Sequence, residues 1–515
     1  MLWIALHLPQ LPLDTALRCR LSHPSDAAEA AVLASVAAPA CLQEQPVVIC
    51  ERKLVGWCNQ RAEEAGIQPG MSETSARALT AELQAFPRDR EQEAQALHEA
   101  ALWSLHFTPH VVLCSSGLLM EVAASLRLFN GTQNIASALL SGLMELGLHA
   151  RLASAPTASG AWLRAQSDQS TRVFLASDQA DAALDELPLQ VLESARSHLE
   201  TLNGIGCRTI GQLRRLPRAG LTRRFGKEML REIDRAYGHE SEAHQWFEAP
   251  IVFDARLELP ARVESTEALL FAARRLLLQL GGWLAARHAA VASITLLLHH
   301  ESTRQRDHRS TPLTIVLGMP SRDIDHLTLL LRERLAQLDL IAPVIEIALK
   351  ANQIAEQAAP NNELFPTSAS DAESTGRLIE RLQSRLGNEA VRQLSMFADH
   401  RPEKSTTTTA IHGRQNTHRN NRQDALIPHG AGARPTWLLQ KPLALITRQH
   451  KPFYQSPLTL LTGPERIESG WWDDGLAARD YFIAQNDKHL LLWIFRLRTM
   501  NDVTGSGWFL HGFFA

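Results

Sequence analysis

Val111-Val-Leu-Cys-Ser-Ser-Gly-Leu-Leu-Met-Glu-Val122 is the stretch on which the reading of the fold turns. Two short apolar runs flank Ser115-Ser116-Gly117, the pattern of a β-hairpin with a tight turn. Working outward, Leu2–Leu8 is a continuous apolar run closed by Pro9 and Pro12 and reads as a buried first strand. Residues 13–40 are alanine-rich and read as helical. Pro46–Glu51 reads as a strand and Cys58–Gly66 as a helix, with Gly66-Ile-Gln-Pro-Gly70 as a turn. A long helix pattern covers Arg90–Leu105. After the hairpin come a helix over Ile135–Leu146 and a strand at Ala150–Ala153. The class is α+β.

The 515 residues are too many for one ordinary core, and three or more compact units are expected. A formal charge of -3 gives no global nucleic-acid signature, so any DNA-binding surface must be local. Six cysteines are scattered without a C-x-x-C pair, which argues against a zinc site or a disulfide framework and for a reducing compartment. The N-terminus lacks a basic n-region, and no uninterrupted apolar run approaches the roughly 20 residues of a membrane span. The expected location is the cytoplasm, with no membrane contact.

Leu199, Leu202, Ile205, Ile210, Leu213 and Leu216 space two short helices around Asn203-Gly204-Ile205-Gly206. This is the pattern of a helix-hairpin-helix, whose glycine turn offers backbone N–H groups to phosphate. Between Arg208 and Arg235 stand nine Arg/Lys against three acids. A solvated amphipathic helix pair would show the same bias, but the glycine turn in front of it favours DNA backbone binding. Ile251–Ala348 then reads β-α-β-β-α-β, the order of a small two-layer domain. From about Ala351 to Arg434 apolar periodicity fades, apart from an amphipathic helix over Gly376–Leu386, and the composition is that of a linker. The last part, Thr436–Ala515, is tryptophan-rich with a strand-like Leu490–Leu497 and reads as a small separate unit.

This order of parts resembles the palm, fingers, thumb and little finger of Y-family translesion DNA polymerases over roughly residues 1–350. The tail resembles the ImuB family, polymerase-like members of bacterial mutasome cassettes. The likeness is carried by Gly463-Pro-Glu-Arg-Ile-Glu-Ser-Gly-Trp-Trp-Asp473, Arg479-Asp-Tyr-Phe482, Leu492-Trp-Ile-Phe-Arg496, Trp508-Phe-Leu-His-Gly512 and Asp399-His-Arg-Pro-Glu403, with Leu216-Pro-Arg-Ala-Gly-Leu and Arg224-Phe-Gly upstream. The resemblance implies palm-like 1–12 and 88–168, fingers-like 13–87, thumb-like 169–243, little finger-like 250–350, a flexible linker 351–433 carrying a clamp motif, and a partner-binding region 434–515.

Phosphoryl transfer to a primer needs two divalent metals held by carboxylates. The family's first strand and hairpin supply those acids, and here His7, Pro9, Ser116 and Gly117 occupy their positions. Glu121 matches a later acid of the strand. His7 alone is a poor magnesium ligand, because that ion prefers oxygen, and a strand-end histidine satisfied by its surroundings is the simpler reading. At the family's nucleotide-binding positions stand Gln60, Glu63 and Thr157, with Glu63 in place of an arginine, a reversal that should repel a triphosphate. The resemblance therefore implies no catalytic residue, no metal site and no cofactor. The expected DNA-binding residues are Gly204, Gly206, Arg208, Thr209, Arg223, Arg224 and Lys227.

Gln393-Leu394-Ser395-Met396-Phe397 matches the peptide by which bacterial polymerases dock on the β sliding clamp, Gln393, Leu394, Met396 and Phe397 being its contacts. Two alternatives stand beside it: that Val391–Phe397 merely finishes the preceding helix, and that Asn361-Asn362-Glu363-Leu364-Phe365 is the motif. By resemblance, Trp471, Trp472, Arg479 and Trp508 would bind partners, the RecA-like ImuA and the error-prone polymerase ImuC. The implied function is a non-catalytic adaptor for SOS-induced translesion synthesis, acting on damaged or primer-template DNA. An active Y-family polymerase with displaced metal ligands is the alternative.

Overall fold

The computed structural model describes residues 1–18, 45–167, 177–301, 310–340, 342–356, 368–397, 399–411, 433–473, 475–498 and 507–514. The helical expectation beyond Arg18 and the motif Asn361–Phe365 lie outside them. The chain divides into two compact units, Met1–Arg385 and Leu386–Ala515.

At the centre of the first unit is an antiparallel sheet in the order Val111–Cys114, Gly117–Glu121, Trp3–His7, Arg151–Ala155. The expected hairpin is present, with Ser115–Ser116 as its two-residue turn and Cys114 opposite Gly117. Alternation along the first strand explains why it is apolar throughout. Ile4 and Leu6 face the helices Arg90–Ser104 and Thr132–Glu145, while Trp3 and Ala5 face the helix Ala158–Gln166. His7 follows the same period-two rule and turns toward Ala158–Gln166.

The fingers-like part is a three-stranded sheet, Leu54–Cys58, Val47–Glu51, Gln84–Pro87, with its last pair parallel. The sequence pattern resolved only the middle strand. Cys58, read as the start of a helix, ends a strand, and the helix covers just Gln60–Glu64, capped by Asn59. The thumb-like part is helical: Leu199–Gly204 and Ile210–Arg214 flank the glycine turn, followed by Arg218–Phe225 and Lys227–Ala236 around a core of Leu202, Ile210, Leu213, Met229 and Ile233.

The little finger-like part follows the expected β-α-β-β-α-β order. Its antiparallel sheet runs Ser310–Ser321, Ala289–His300, Val344–Glu356, Asp254–Val263, backed by helices Thr266–Ala286 and Ile324–Leu335. Thr266–Ala286 has the length and hydropathy of a membrane span, but most of it is buried in the core. Gly282 makes that burial possible, since a Cβ there would stand 1.7 Å from the carbonyl oxygen of Leu102.

In the segment expected as a linker, the helix expected over Gly376–Leu386 is present and longer, Ser368–Leu386, and the correction is a hairpin, Arg392–Met396 with Thr406–Ala410. Four consecutive threonines, Thr406–Thr409, were the available signal, because β-branched residues suit a pleated strand. The rest of the second unit is a six-stranded antiparallel sheet built on Trp437–Ala444, Trp508–Phe513, Leu491–Leu497 and Ala477–Gln485, plus a small three-stranded sheet.

Candidate functional site: an acid-free hairpin tip and a basic thumb

His7, Pro9, Ser116 and Gly117 are brought together. His7 lies opposite Gly117 on one side and Arg151 on the other, and the Leu8 amide donates to the Ser116 carbonyl at 2.8 Å. Gly117 is buried against the first strand. A Cβ there would sit 1.9 Å from the Leu6 carbonyl oxygen and 3.0 Å from the Trp162 ring, so this backbone has no room for an acidic side chain. Trp162 also meets His7 edge-on, with ring centroids 5.5 Å apart.

Burial, aided by the nearby cations Arg151 and Arg196, pulls the His7 imidazole down to about 4, while a hydrogen bond with the Ala165 backbone works the other way. The ring is neutral at physiological pH, and its Nδ1 is buried without a hydrogen-bond partner. A divalent metal pair would need anionic oxygens here; the tip offers a neutral imidazole, a serine, a glycine without side-chain space and two arginines close by. The residues do not fit the metal pair that the family fold implies. Among the described residues, no cluster of three or more His, Cys, Asp or Glu could hold a metal ion.

Glu121 is not a displaced ligand for this tip. It pairs with Trp3, four residues along the strand from the His7–Gly117 pair, and its Oε1 accepts from the backbone amides of Leu2 (3.3 Å) and Ala123 (3.1 Å). Thr157 is likewise elsewhere. It follows Ala155, the residue opposite Trp3, and its hydroxyl caps the helix Ala158–Gln166 by accepting from Gly160 while donating to the Ala236 carbonyl at 2.7 Å. The position implied for a triphosphate contact is a structural joint between palm-like and thumb-like parts. Gln60 and Glu63 are exposed on their short helix. Gln60 donates to Glu64, and Glu63 accepts from the Cys58 thiol, which burial and that carboxylate push up to about 11.

The glycine turn is formed as expected. Gly206 is left-handed (φ 80°), and no atom lies within 4 Å of where a Cβ on Gly204 or Gly206 would stand. Thr209 caps Ile210–Arg214 in a reciprocal box with Gln212, whose Oε1 accepts from the amides of Arg208 (2.7 Å) and Thr209 (3.3 Å). With the Gly206 amide donating to the Asn203 carbonyl at 3.0 Å, three of the amides expected to face phosphate are already satisfied. Side-chain charge remains the larger resource. Arg214, Arg218, Arg231 and Arg235 pair with Asp185, Asp234, Glu228 and Glu240. Arg208, Arg215, Arg223, Arg224 and Lys227 are exposed and form no ion pair among the described residues.

The outer face of the little finger-like sheet is different. Asp254, Glu258 and Glu346 share it with Arg256 and Lys350, and both cations are within ion-pair distance of these acids.

The helix Ser368–Leu386 buries Glu380 and Ser384, while Leu378, Leu382 and Leu386 are exposed. Glu380 accepts from His326 at 2.6 Å and from the Gly318 amide at 2.6 Å. In the second unit, Gln393–Phe397 does not continue that helix. Gly387 (φ 90°) ends it, and the motif forms a strand whose Leu394, Met396 and Phe397 are 72%, 74% and 62% exposed.

The tail motifs converge on one polar network. Arg401 is buried and bonds Asp473 with both terminal nitrogens (2.7 and 2.8 Å), and it also bonds Asp399 and the Gly475 carbonyl. Those charge-assisted bonds hold the Asp399 carboxyl down at about 2 and Asp473 lower still. Glu403 accepts from Arg479, which donates to the Tyr481 hydroxyl (3.0 Å), and that hydroxyl meets His511 Nδ1 at 2.8 Å. Arg479 therefore faces inward, and Trp508 packs on Phe482. Trp471 and Trp472, at 80% and 57% exposure, are the members of the expected partner set that face solvent.

With this geometry in hand, residues 28–166 match the impB/mucB/samB family model. Protein ImuB of Caulobacter vibrioides is 27% identical over 488 residues, which cover 87% of this chain and 100% of the relative. The chain is ImuB-like. Solved structures similar to this ImuB-like chain are Y-family polymerases. A post-insertion binary complex of Dbh DNA polymerase aligns over 69% of this chain and 100% of its own, at 16% identity and a TM-score of 0.38. DinB from Sulfolobus solfataricus aligns over 68% and 98%, at 16% identity and a TM-score of 0.35. The multidomain α+β architecture with a separate C-terminal β unit is the fold class expected from the sequence.

Proposed function

We propose that this ImuB-like chain holds primer-template DNA without extending it and serves as a cytoplasmic, non-catalytic adaptor in SOS-induced translesion synthesis. The observation that carries the reading is Gly117. Its hydrogen-sized side-chain space, beside a neutral His7, removes the carboxylates that metal-dependent phosphoryl transfer requires. The five exposed thumb cations without an acid partner among the described residues support DNA holding, since phosphate contacts from exposed Arg and Lys supply most sequence-independent affinity. The paired charges of the little finger-like sheet leave that part a smaller share of the grip.

Partner contacts belong to the second unit in this reading. Gln393, Leu394, Met396 and Phe397 would meet the β sliding clamp, with alternate apolar side chains of an extended strand entering pockets. Trp471 and Trp472 would meet ImuA or ImuC, and catalysis would be ImuC's. Replacing Gln393, Leu394 and Phe397 by alanine should abolish clamp binding in a pull-down. Unchanged binding, with loss on replacing Leu364 and Phe365, would move the clamp contact to Asn361–Phe365.

DNA holding is tested by anisotropy with a labelled primer-template. The wild-type chain should bind, and Arg223→Gln/Arg224→Gln/Lys227→Gln should weaken it. Absence of binding by the wild-type chain would refute the reading.

A further inference from the structure

Between residues 45 and 90 the chain has six cations, and four of them are held by acids. Arg61 pairs with Glu64 (3.1 Å), Arg77 with Glu73 (2.9 Å), Arg88 with Glu93 (2.7 Å) and Arg90 with Glu51 (2.8 Å). Arg52 and Lys53 are exposed, and among the described residues they enter no ion pair or side-chain hydrogen bond. These two also sit on the least comfortable backbone of the fingers-like part. Glu51 pairs with Leu54, so Arg52 and Lys53 alone make the turn, and both are left-handed (φ 52° and 66°).

Positive φ at both central positions is what a type I′ turn demands, and Asn-Gly meets that demand at little cost. An L-residue with a Cβ is crowded there. Two long cations therefore occupy the place where the backbone alone would favour Asn-Gly. Next to the turn, Leu54 is 50% exposed, and Trp57, with the Arg88 guanidinium 4.7 Å from its ring centroid, lines a shallow cleft of about 460 Å³ together with Arg52, Val55, Gly56, Gly70 and Glu51, whose carboxylate is paired with Arg88 and Arg90.

We propose that this hairpin tip is a contact for single-stranded nucleic acid. Arg52 and Lys53 bind neighbouring phosphates, and the cleft of Leu54 and Trp57 receives an unstacked base. Cations that follow a backbone beside apolar and aromatic surface are how single strands are gripped without sequence preference. An acidic peptide would use the cations but leave the cleft empty. The inference rests on the reading of the chain as a DNA holder.

The test uses the full chain and three labelled probes across a KCl series: an oligothymidylate of about twenty nucleotides, a primer-template with a 5′ overhang, and a blunt duplex. Arg52→Gln/Lys53→Gln removes the charge and keeps the turn strained. Its logarithmic salt slope on the oligothymidylate should fall by roughly 1.4, about 0.7 for each phosphate no longer neutralised, with blunt-duplex binding unchanged. Arg52→Asn/Lys53→Gly should lose the same affinity and melt at a higher temperature. Unaltered slopes on every probe would overturn the proposal, and so would equal loss on the blunt duplex. If the wild-type chain binds no probe, the DNA-holding reading fails first. If the thumb variant weakens binding and the tip variants do not, only this inference falls.

Discussion

The palm-like hairpin tip and the thumb-like helices both belong to the first unit, and they differ in the chemistry that their side chains offer. At the tip strand register, two-residue turn and close packing are all present, and the residues gathered there, His7, Pro9, Ser116 and Gly117, include no acid. At the thumb both the frame and its charges persist, with five exposed cations free of acid partners among the described residues. Metal binding needs several oxygens at fixed positions, whereas phosphate binding needs only exposed positive charge. The tip lacks the first, and the helices offer the second.

The largest effect that could break this contrast is an attempt to restore an acid. Gly117→Asp should destabilise the chain by roughly 3 kcal/mol, because its Cβ would overlap the Leu6 carbonyl and force the strands apart. Urea denaturation measures this, and a variant as stable as the wild type would show that the tip can take a carboxylate after all.

Acid provides the next test. The folded pKa of His7 lies near 4, below the ordinary 6.5, so between those values the unfolded chain binds more protons. Stability contributed by the neutral ring is present above about 6.5 and is lost as pH falls toward 4. His7→Gln should flatten that part of the stability–pH curve, and an unchanged slope would mean that the ring is not buried neutral.

The thumb is sharpened by comparison with the little finger. Arg223→Gln/Arg224→Gln/Lys227→Gln should lower the logarithmic salt slope on duplex DNA by roughly 0.9 for each phosphate left without its cation. Arg256→Gln/Lys350→Gln should change it far less, since those cations already face Asp254 and Glu346. Equal slopes for both variants would erase the distinction. The smallest effect belongs to Thr157→Ala, which removes a helix cap and the bond to Ala236 and should cost about 1 kcal/mol. A loss of DNA binding with no loss of stability would give Thr157 a ligand-binding role in place of this structural one.

Much of the frame was legible because its signals are local. The Ser-Ser-Gly break marked the hairpin, and the Gly204–Gly206 turn and the β-α-β-β-α-β order were likewise written in short-range pattern. What was hidden depends on residues distant in sequence. The strand Leu54–Cys58 is short and interrupted by Gly56, so pairing with Val47–Glu51 decides its state. In Ser368–Leu386 the periodicity reveals two faces without saying which is buried, and the structure buries Glu380 and Ser384 while leaving the leucines outside. Thr157 could be aligned with a ligand-binding position, yet the register places it at the end of the sheet away from His7. Arg479 and Trp508 stood out as motif residues, but only pairings between distant parts of the chain show that they hold the second unit together.

The central claim is that the chain can hold a primer-template and cannot lengthen it. Its most direct test is a primer-extension assay with Mg²⁺ or Mn²⁺, run at protein concentrations at which anisotropy shows the primer-template to be bound. The expected result is full binding with no nucleotide added. Sustained metal-dependent incorporation by the purified chain would contradict it.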